Sequence, residues 1–84
     1  MGMTRDDISA CVLRNLVCVA PDISAETLDP AINFRDQYDF DSMDFLNFVI
    51  ALYKELKIDI PETDYPQLRN LNDAVDYLDK KLSG

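Results

Sequence analysis

Between Phe45 and Leu56 the chain carries apolar side chains at positions 45, 46, 48, 49, 50, 52, 53 and 56, with Asp44, Asn47, Ala51, Lys54 and Glu55 set around them. At 100° per residue the first set fills a broad arc and the second the opposite side. This predicts an amphipathic helix over about 42–57. So wide an arc needs cover from several neighbours, which places this helix at the centre of whatever the chain builds. Two further segments share the helical period, and none alternates with period two over the length of a strand.

The first of these is TRDDISACVLRNLVCVA. Thr4 is a good cap, Asp7 three positions on completes a capping-box pattern, and acids in the first turn suit the helix dipole. Ile8, Cys11, Val12, Leu16 and Val19 keep helical spacing and should face inward, with polar Asn15 falling in the same stripe. Pro21 stops the helix. The other segment is LNDAVDYLDKKL. Asn72 is its expected cap, Ala74, Val75, Leu78 and Leu82 form its apolar stripe, and Lys80 and Lys81 suit its end.

Just before it, in IDIPETDYPQL, Pro61 opens a short helical segment whose length Pro66 should limit. Residues 21–40 form the longest irregular stretch, with a possible turn near Ser24 to Leu28. Leu28, Ile32, Phe34, Tyr38 and Phe40 are apolar enough to pin it down. The expected fold is all-α: three main helices plus a short third helix, a small four-helix bundle. Its core spans about 4–82 of a single domain, 1–84.

Eighty-four residues leave no room for a deep cleft walled by the chain itself. A chain of this size buries roughly 60–65% of its unfolded surface. Sixteen acids against eight bases give a net charge of −8, which disfavours nucleic acid and anionic membranes and steers towards basic partners. No apolar run reaches membrane-spanning length. The start, MGMTRDDIS, lacks a targeting core, and Asp6 breaks the myristoylation pattern. A cytoplasmic monomer is expected.

Histidine is absent, which removes the commonest general base and the Ser-His-Asp and Cys-His arrangements. Cys11 and Cys18 would lie about 10 Å apart along one helix face, too far for a disulfide. They read as reduced core residues, and without histidine they make no convincing zinc site.

The stretch DFDSMDF, residues 39–45, then poses a chemical question: why a serine between aspartates at the head of the second helix. Asp and Ser are both strong helix caps, so a purely structural role is available. Asp36, Asp39, Asp41 and Asp44 cluster here too. Their spacing misses the alternate-residue pattern of a calcium loop, and its glycine is missing, so a solvated acidic rim is the better reading. Ser42 has no neighbouring base to activate it as a nucleophile.

The order of motifs on both sides of Ser42 resembles the acyl carrier protein family. Asp41-Ser42-Met43 stands at the start of the second helix, Ile60-Pro61-Glu62 before a short third helix, and Asp73-Ala74-Val75-Asp76-Tyr77-Leu78 in the last. The resemblance covers roughly residues 34–82 closely and the first helix more loosely. It implies a carrier and not an enzyme, with a 4′-phosphopantetheine arm on Ser42 that holds acyl groups as thioesters. A separate phosphopantetheinyl transferase would attach the arm from coenzyme A with the help of magnesium, so the chain itself needs only an accessible hydroxyl.

Further partners implied are acyl-loading and acyl-processing enzymes with basic docking patches. Asp41 would cap or position the helix, and Asp41, Met43, Asp44 and Asn47 would form the recognition face, with Met43 either guiding the arm and its partner or packing beneath the loop. No catalytic residue and no metal ligand is implied. Phe45 and Phe48 would either shape a space for an acyl chain or fill it completely, and core is the expected role. Two departures stand out: Asp39 replaces the glycine that many carriers have there, and the second helix bears Asn47, Tyr53 and Lys54 where fatty-acid carriers are strongly acidic. The second departure points to a specialised lipid, fatty-acid or polyketide-like pathway. The alternative is an unmodified helical interaction domain that keeps the carrier fold.

Overall fold

The computed structural model describes residues 4–24, 26–38 and 40–83, and among them only helices, turns and loops occur. Helix α1 spans Arg5–Val19, α2 Phe34–Gln37, α3 Ser42–Leu56 and α4 Leu71–Ser83, with a 3-10 helix at Glu62–Leu68 between α3 and α4. The all-α bundle of three main helices with a short helix before the last is therefore observed. The one-turn α2 is an addition that the loop-like composition of 21–40 conceals. The bundle measures 34 × 26 × 19 Å.

Helix α1 begins with the expected capping box: the Asp7 N–H donates to Thr4 Oγ1 at 3.1 Å, and the Thr4 N–H to Asp7 Oδ2 at 3.2 Å. Ile8, Cys11, Val12 and Leu16 are buried, and Val19 is half-buried. Cys18, expected inside, is exposed, and both cysteines are free thiols. A heptad repeat drifts about 20° on a straight helix, which carries Cys18 beyond the edge of the buried stripe, while Val19 beside it still packs against the core. Asn15 is buried with a purpose. Its amide donates to the Cys11 carbonyl at 2.8 Å and reaches Glu55 of α3 at 3.4 Å.

Glu55 also accepts from the Cys11 thiol and from Arg14. It therefore faces α1, although its place in the helical pattern assigns it to the solvent side. One carboxylate here serves a buried amide, a buried thiol and a surface guanidinium.

Helix α1 packs on α4 and α3, and α4 packs on the 3-10 helix. Cover for α3 is narrower than its apolar arc demands. Phe48, Val49 and Leu52 are buried, whereas Met43, Leu46, Ile50 and Tyr53 are exposed. Those four, at i, i+3, i+7 and i+10, share one open face.

Helix α4 buries Leu71, Ala74, Val75, Tyr77 and Leu78. Its cap is Asn70, whose Oδ1 accepts the Asp73 N–H at 2.7 Å. Asn72 instead donates its own N–H to the Pro30 carbonyl at 3.0 Å. The sequence pattern sets the cap two residues late because Leu71 already lies inside the helix. Pro66 sits within the 3-10 helix and does not limit it, since its fixed φ matches 3-10 geometry and its missing N–H forfeits one bond only.

The described residues of the 21–40 stretch are well tied. Ile23, Leu28, Phe34 and Phe40 are buried, while Ile32, expected to help pin the loop, is 43% exposed. The work falls to polar groups instead. The Gln37 amide donates to the carbonyls of Asp29 and Ile32, both at 2.8 Å, and its Oε1 accepts the Asp29 N–H. The Thr27 and Tyr38 hydroxyls meet at 2.9 Å. Among the described residues no helix is long and apolar enough to cross a membrane.

Candidate functional site

Asp41 is the N-cap of α3. Its backbone is extended (φ −89°, ψ −177°) and its Oδ1 accepts the Asp44 N–H at 2.9 Å. The Asp41 carbonyl takes the Phe45 N–H at 3.0 Å. These two bonds stabilise the first turn and engage the Asp41 side chain with the backbone. Ser42 thereby becomes the first helical residue with its side chain spared from capping, and it is exposed. Asp41 and Ser42 thus divide two tasks that either residue type can perform.

Met43 is 64% exposed and does not pack under the loop. Asn47 is exposed and Asp44 half-buried. Ser42, Met43 and Asn47 therefore open to solvent around the start of α3, with Asp44 at their edge. Asp39, which stands where many carriers have glycine, lies outside the described residues. Among the described residues no group of three or more His, Cys, Asp or Glu side chains converges on a possible metal position.

Beside Ser42 lies a groove of about 510 Å³ between α2, the start of α3 and the 3-10 helix. Phe34, Phe40, Phe45, Tyr65 and Pro66 supply its apolar wall, and Arg35 and Arg69 its cations. Its volume falls in the range of small-molecule sites, about 300–1,000 Å³. Phe45 packs edge-on to Tyr65 at 5.4 Å and to Phe40 at 6.4 Å between ring centroids. Phe48 is fully buried beneath. Of the two phenylalanines expected in the core, Phe48 fills it and Phe45 is half-buried against the groove.

Arg35, Tyr65 and Arg69 were not singled out by motif or spacing. Arg35 is brought in by α2. Asn33 caps that short helix through the Arg35 N–H at 2.9 Å, and buried Phe34 anchors it, donating its N–H to the Arg69 carbonyl at 2.9 Å. The Arg35 guanidinium then reaches Ser42 Oγ at 3.4 Å and lies 5.9 Å from the centre of the Phe45 ring. The only sequence signal for this was Phe34, Phe40, Phe45 and Phe48 bracketing Ser42, an aromatic grouping that also suits an ordinary core.

Residues 11–78 match the family model described as the phosphopantetheine attachment site. An acyl carrier protein from a Picosynechococcus species is 29% identical over 69 residues, which cover 82% of this chain and 85% of that protein. Among solved structures, the acyl carrier protein from Enterococcus faecalis matches with a TM-score of 0.73 at 25% identity, over 94% of this chain and 99% of its own.

Proposed function

The chain belongs to the acyl carrier protein family, whose prosthetic group is a covalently attached 4′-phosphopantetheine, and from that premise we propose that Ser42 is the attachment residue. Carriers of this family are substrates and shuttles, not enzymes. The observation that carries the assignment is the exposed Ser42 hydroxyl at the first position of α3, spared from capping because Asp41 does it. The surroundings fit a phosphodiester: a helix N-terminus presents positive dipole, and Arg35 lies alongside.

When bound, the arm supplies a terminal thiol on which acyl groups ride as thioesters. The chain's own residues do the rest. Ser42 offers the hydroxyl whose oxygen bonds to the phosphorus of coenzyme A as the diphosphate link breaks and adenosine 3′,5′-bisphosphate leaves, the transferase supplying magnesium and the base that takes the proton. Asp41 holds the helix start, and Met43, Asp44 and Asn47 form the rim that partner enzymes read. The surrounding charge of −8 favours partners with basic docking patches, and the whole of 4–82 acts as one carrier domain in the cytoplasm.

A specialised lipid, fatty-acid or polyketide-like pathway is the better home. The open side of α3 carries Asn47, Tyr53 and Lys54 with an apolar row of Met43, Leu46, Ile50 and Tyr53. That surface suits partners offering apolar contact within a basic frame.

The test is to load the apo protein from an acyl-coenzyme A with a broad-specificity transferase and then add neutral hydroxylamine. A carrier gains acyl-arm mass and loses only the acyl part to hydroxylamine. An unmodified interaction domain gains nothing, and its biological activity survives Ser42→Ala.

A further inference from the structure

Four arginines serve this chain, and three of them hold carboxylates. Arg5 binds Asp76 and Asp79, Arg14 binds Glu55, and Arg69 binds Asp73 at 2.7 Å. Arg35 differs: among the described residues no carboxylate lies within ion-pair distance of it. Its guanidinium instead donates to Ser42 Oγ and sits near the face of Phe45. In a chain with two acids for every base, a cation spent on a neutral hydroxyl invites explanation.

A serine hydroxyl is a weak acceptor, and 3.4 Å is long for an N–H···O bond, whose usual separation is about 2.9 Å. The guanidinium is held near that oxygen from its own side. Phe34 is buried at the adjoining position, its N–H is tied to the Arg69 carbonyl, and Asn33 caps the turn. Among the described residues, therefore, Arg35 stands beside Ser42 with no carboxylate paired to its charge.

Modification of Ser42 adds a negative phosphodiester next to Asp41 and near Asp44, in a chain already at −8. Like charges at such separations repel, and a nearby cation offsets them. Hydrogen bonds from a guanidinium to a phosphate are charge-assisted and about twice as strong as neutral ones. They also suit the flat fork of arginine better than the point charge of lysine.

We propose that Arg35 is the anion anchor of the prosthetic arm, holding its phosphodiester at the mouth of the aromatic groove once Ser42 is modified. Arg35 is a positioning residue: it takes no part in the transfer itself and fixes the direction in which the arm leaves the helix. The groove runs from Ser42 and Arg35 past Phe45 to Tyr65 and Arg69, so an arm fixed at its phosphate is aimed along an apolar wall and restrained from sweeping freely through solvent. This assignment rests on Ser42 being the attachment residue.

The experiment uses 15N-labelled full chain, apo and after loading from coenzyme A, with loading verified by intact mass. Arginine Nε–H signals and the 31P signal of the arm are read for wild type, Arg35→Gln and Arg35→Lys. Loading should move the Arg35 Nε–H signal and leave that of Arg5 in place, because Arg5 is engaged with Asp76 and Asp79 on α4. The 31P shift should differ between wild type and Arg35→Gln, with Arg35→Lys between them. That difference should shrink as salt rises from about 0.05 M to about 1 M and the Debye length contracts several-fold.

Mass gain with an unmoved Arg35 signal and superimposable 31P spectra would overturn the anchor while leaving the carrier assignment intact. Failure of the wild type to gain mass would overturn both. The wild-type comparison needs no loaded variant, so a variant rejected by the transferase leaves the test standing. If Arg35 served only to dock the transferase, loading of Arg35→Gln would slow while the loaded wild type showed no shift, and that result also overturns the anchor.

Discussion

The Asp41 carboxylate accepts the Asp44 N–H at 2.9 Å, closing the first turn of α3 around Ser42 and Met43. Asp41 therefore acts on Ser42 through the backbone. Asp41→Ala should lower stability by about 1 kcal/mol, the usual worth of a cap. Asp41→Asn, which keeps the accepting oxygen, should recover most of it. Urea midpoints for the three proteins check this, and an Asp41→Asn as weak as Asp41→Ala would contradict it.

The open face of α3 and its buried face should respond to truncation very differently. Phe48→Ala removes a side chain with no exposure and should cost about 3–5 kcal/mol, a large share of the stability of so small a chain. Met43→Ala and Tyr53→Ser, both more than half exposed, should stay within about 0.5 kcal/mol of wild type. Denaturant unfolding separates the two classes.

Glu55 links α3 to α1 through Cys11, Asn15 and Arg14. The hydrogen bond from Cys11, then those from Asn15 and the charge of Arg14, hold its carboxyl below the usual 4.5 against the opposing effect of burial. A depressed acid stabilises the fold above its unfolded pKa, and that contribution is lost as pH falls through the folded value. Wild type should therefore lose stability below about pH 4.5 more steeply than Glu55→Gln. Thermal melts from pH 7 to pH 3 measure the two slopes. The same contact bears on Cys11, whose thiol is raised to about 11, mainly by burial and then by Glu55. Thiol reagents in native buffer should label exposed Cys18 and spare Cys11.

Tyr77 donates its hydroxyl to Asp64 at 2.6 Å, fastening the 3-10 helix to α4 and so the far wall of the groove. Tyr77→Phe should cost about 1.5 kcal/mol. Burial, and after it the Asp64 hydrogen bond, push the phenol well above its ordinary 10.0. The neutral phenol thus favours the fold below that value, and the benefit drains away as pH rises beyond it. Wild type should lose stability above pH 10.0 more steeply than Tyr77→Phe, which has no such group.

Much of this molecule was legible in its sequence because local chemistry decided it. Thr4 with Asp7, the helical period of α3 and α4, and the ordered motifs around Ser42 all act over a few residues, and each is present in the fold. What escaped depends on how elements meet. Glu55 belongs to the solvent side of α3 by period alone, yet α1 crosses where its carboxylate finds three donors. Cys18 repeats Cys11 seven residues on, but the drift of the helix turns it past the edge of the face that Val19 still presents to the core. Ile32 looked like an anchor, while Gln37 supplied the anchoring through its amide. Arg35 reaches Ser42 only because α2 forms, and a one-turn helix leaves almost no periodic signal.

The most direct test is the intact mass of wild type and Ser42→Ala before and after incubation with coenzyme A, magnesium and a broad-specificity phosphopantetheinyl transferase. Wild type should gain one arm, or already carry it, and Ser42→Ala should never do so. An apo wild type left unchanged by several active transferases, or a Ser42→Ala protein that still gains the arm, would contradict that assignment.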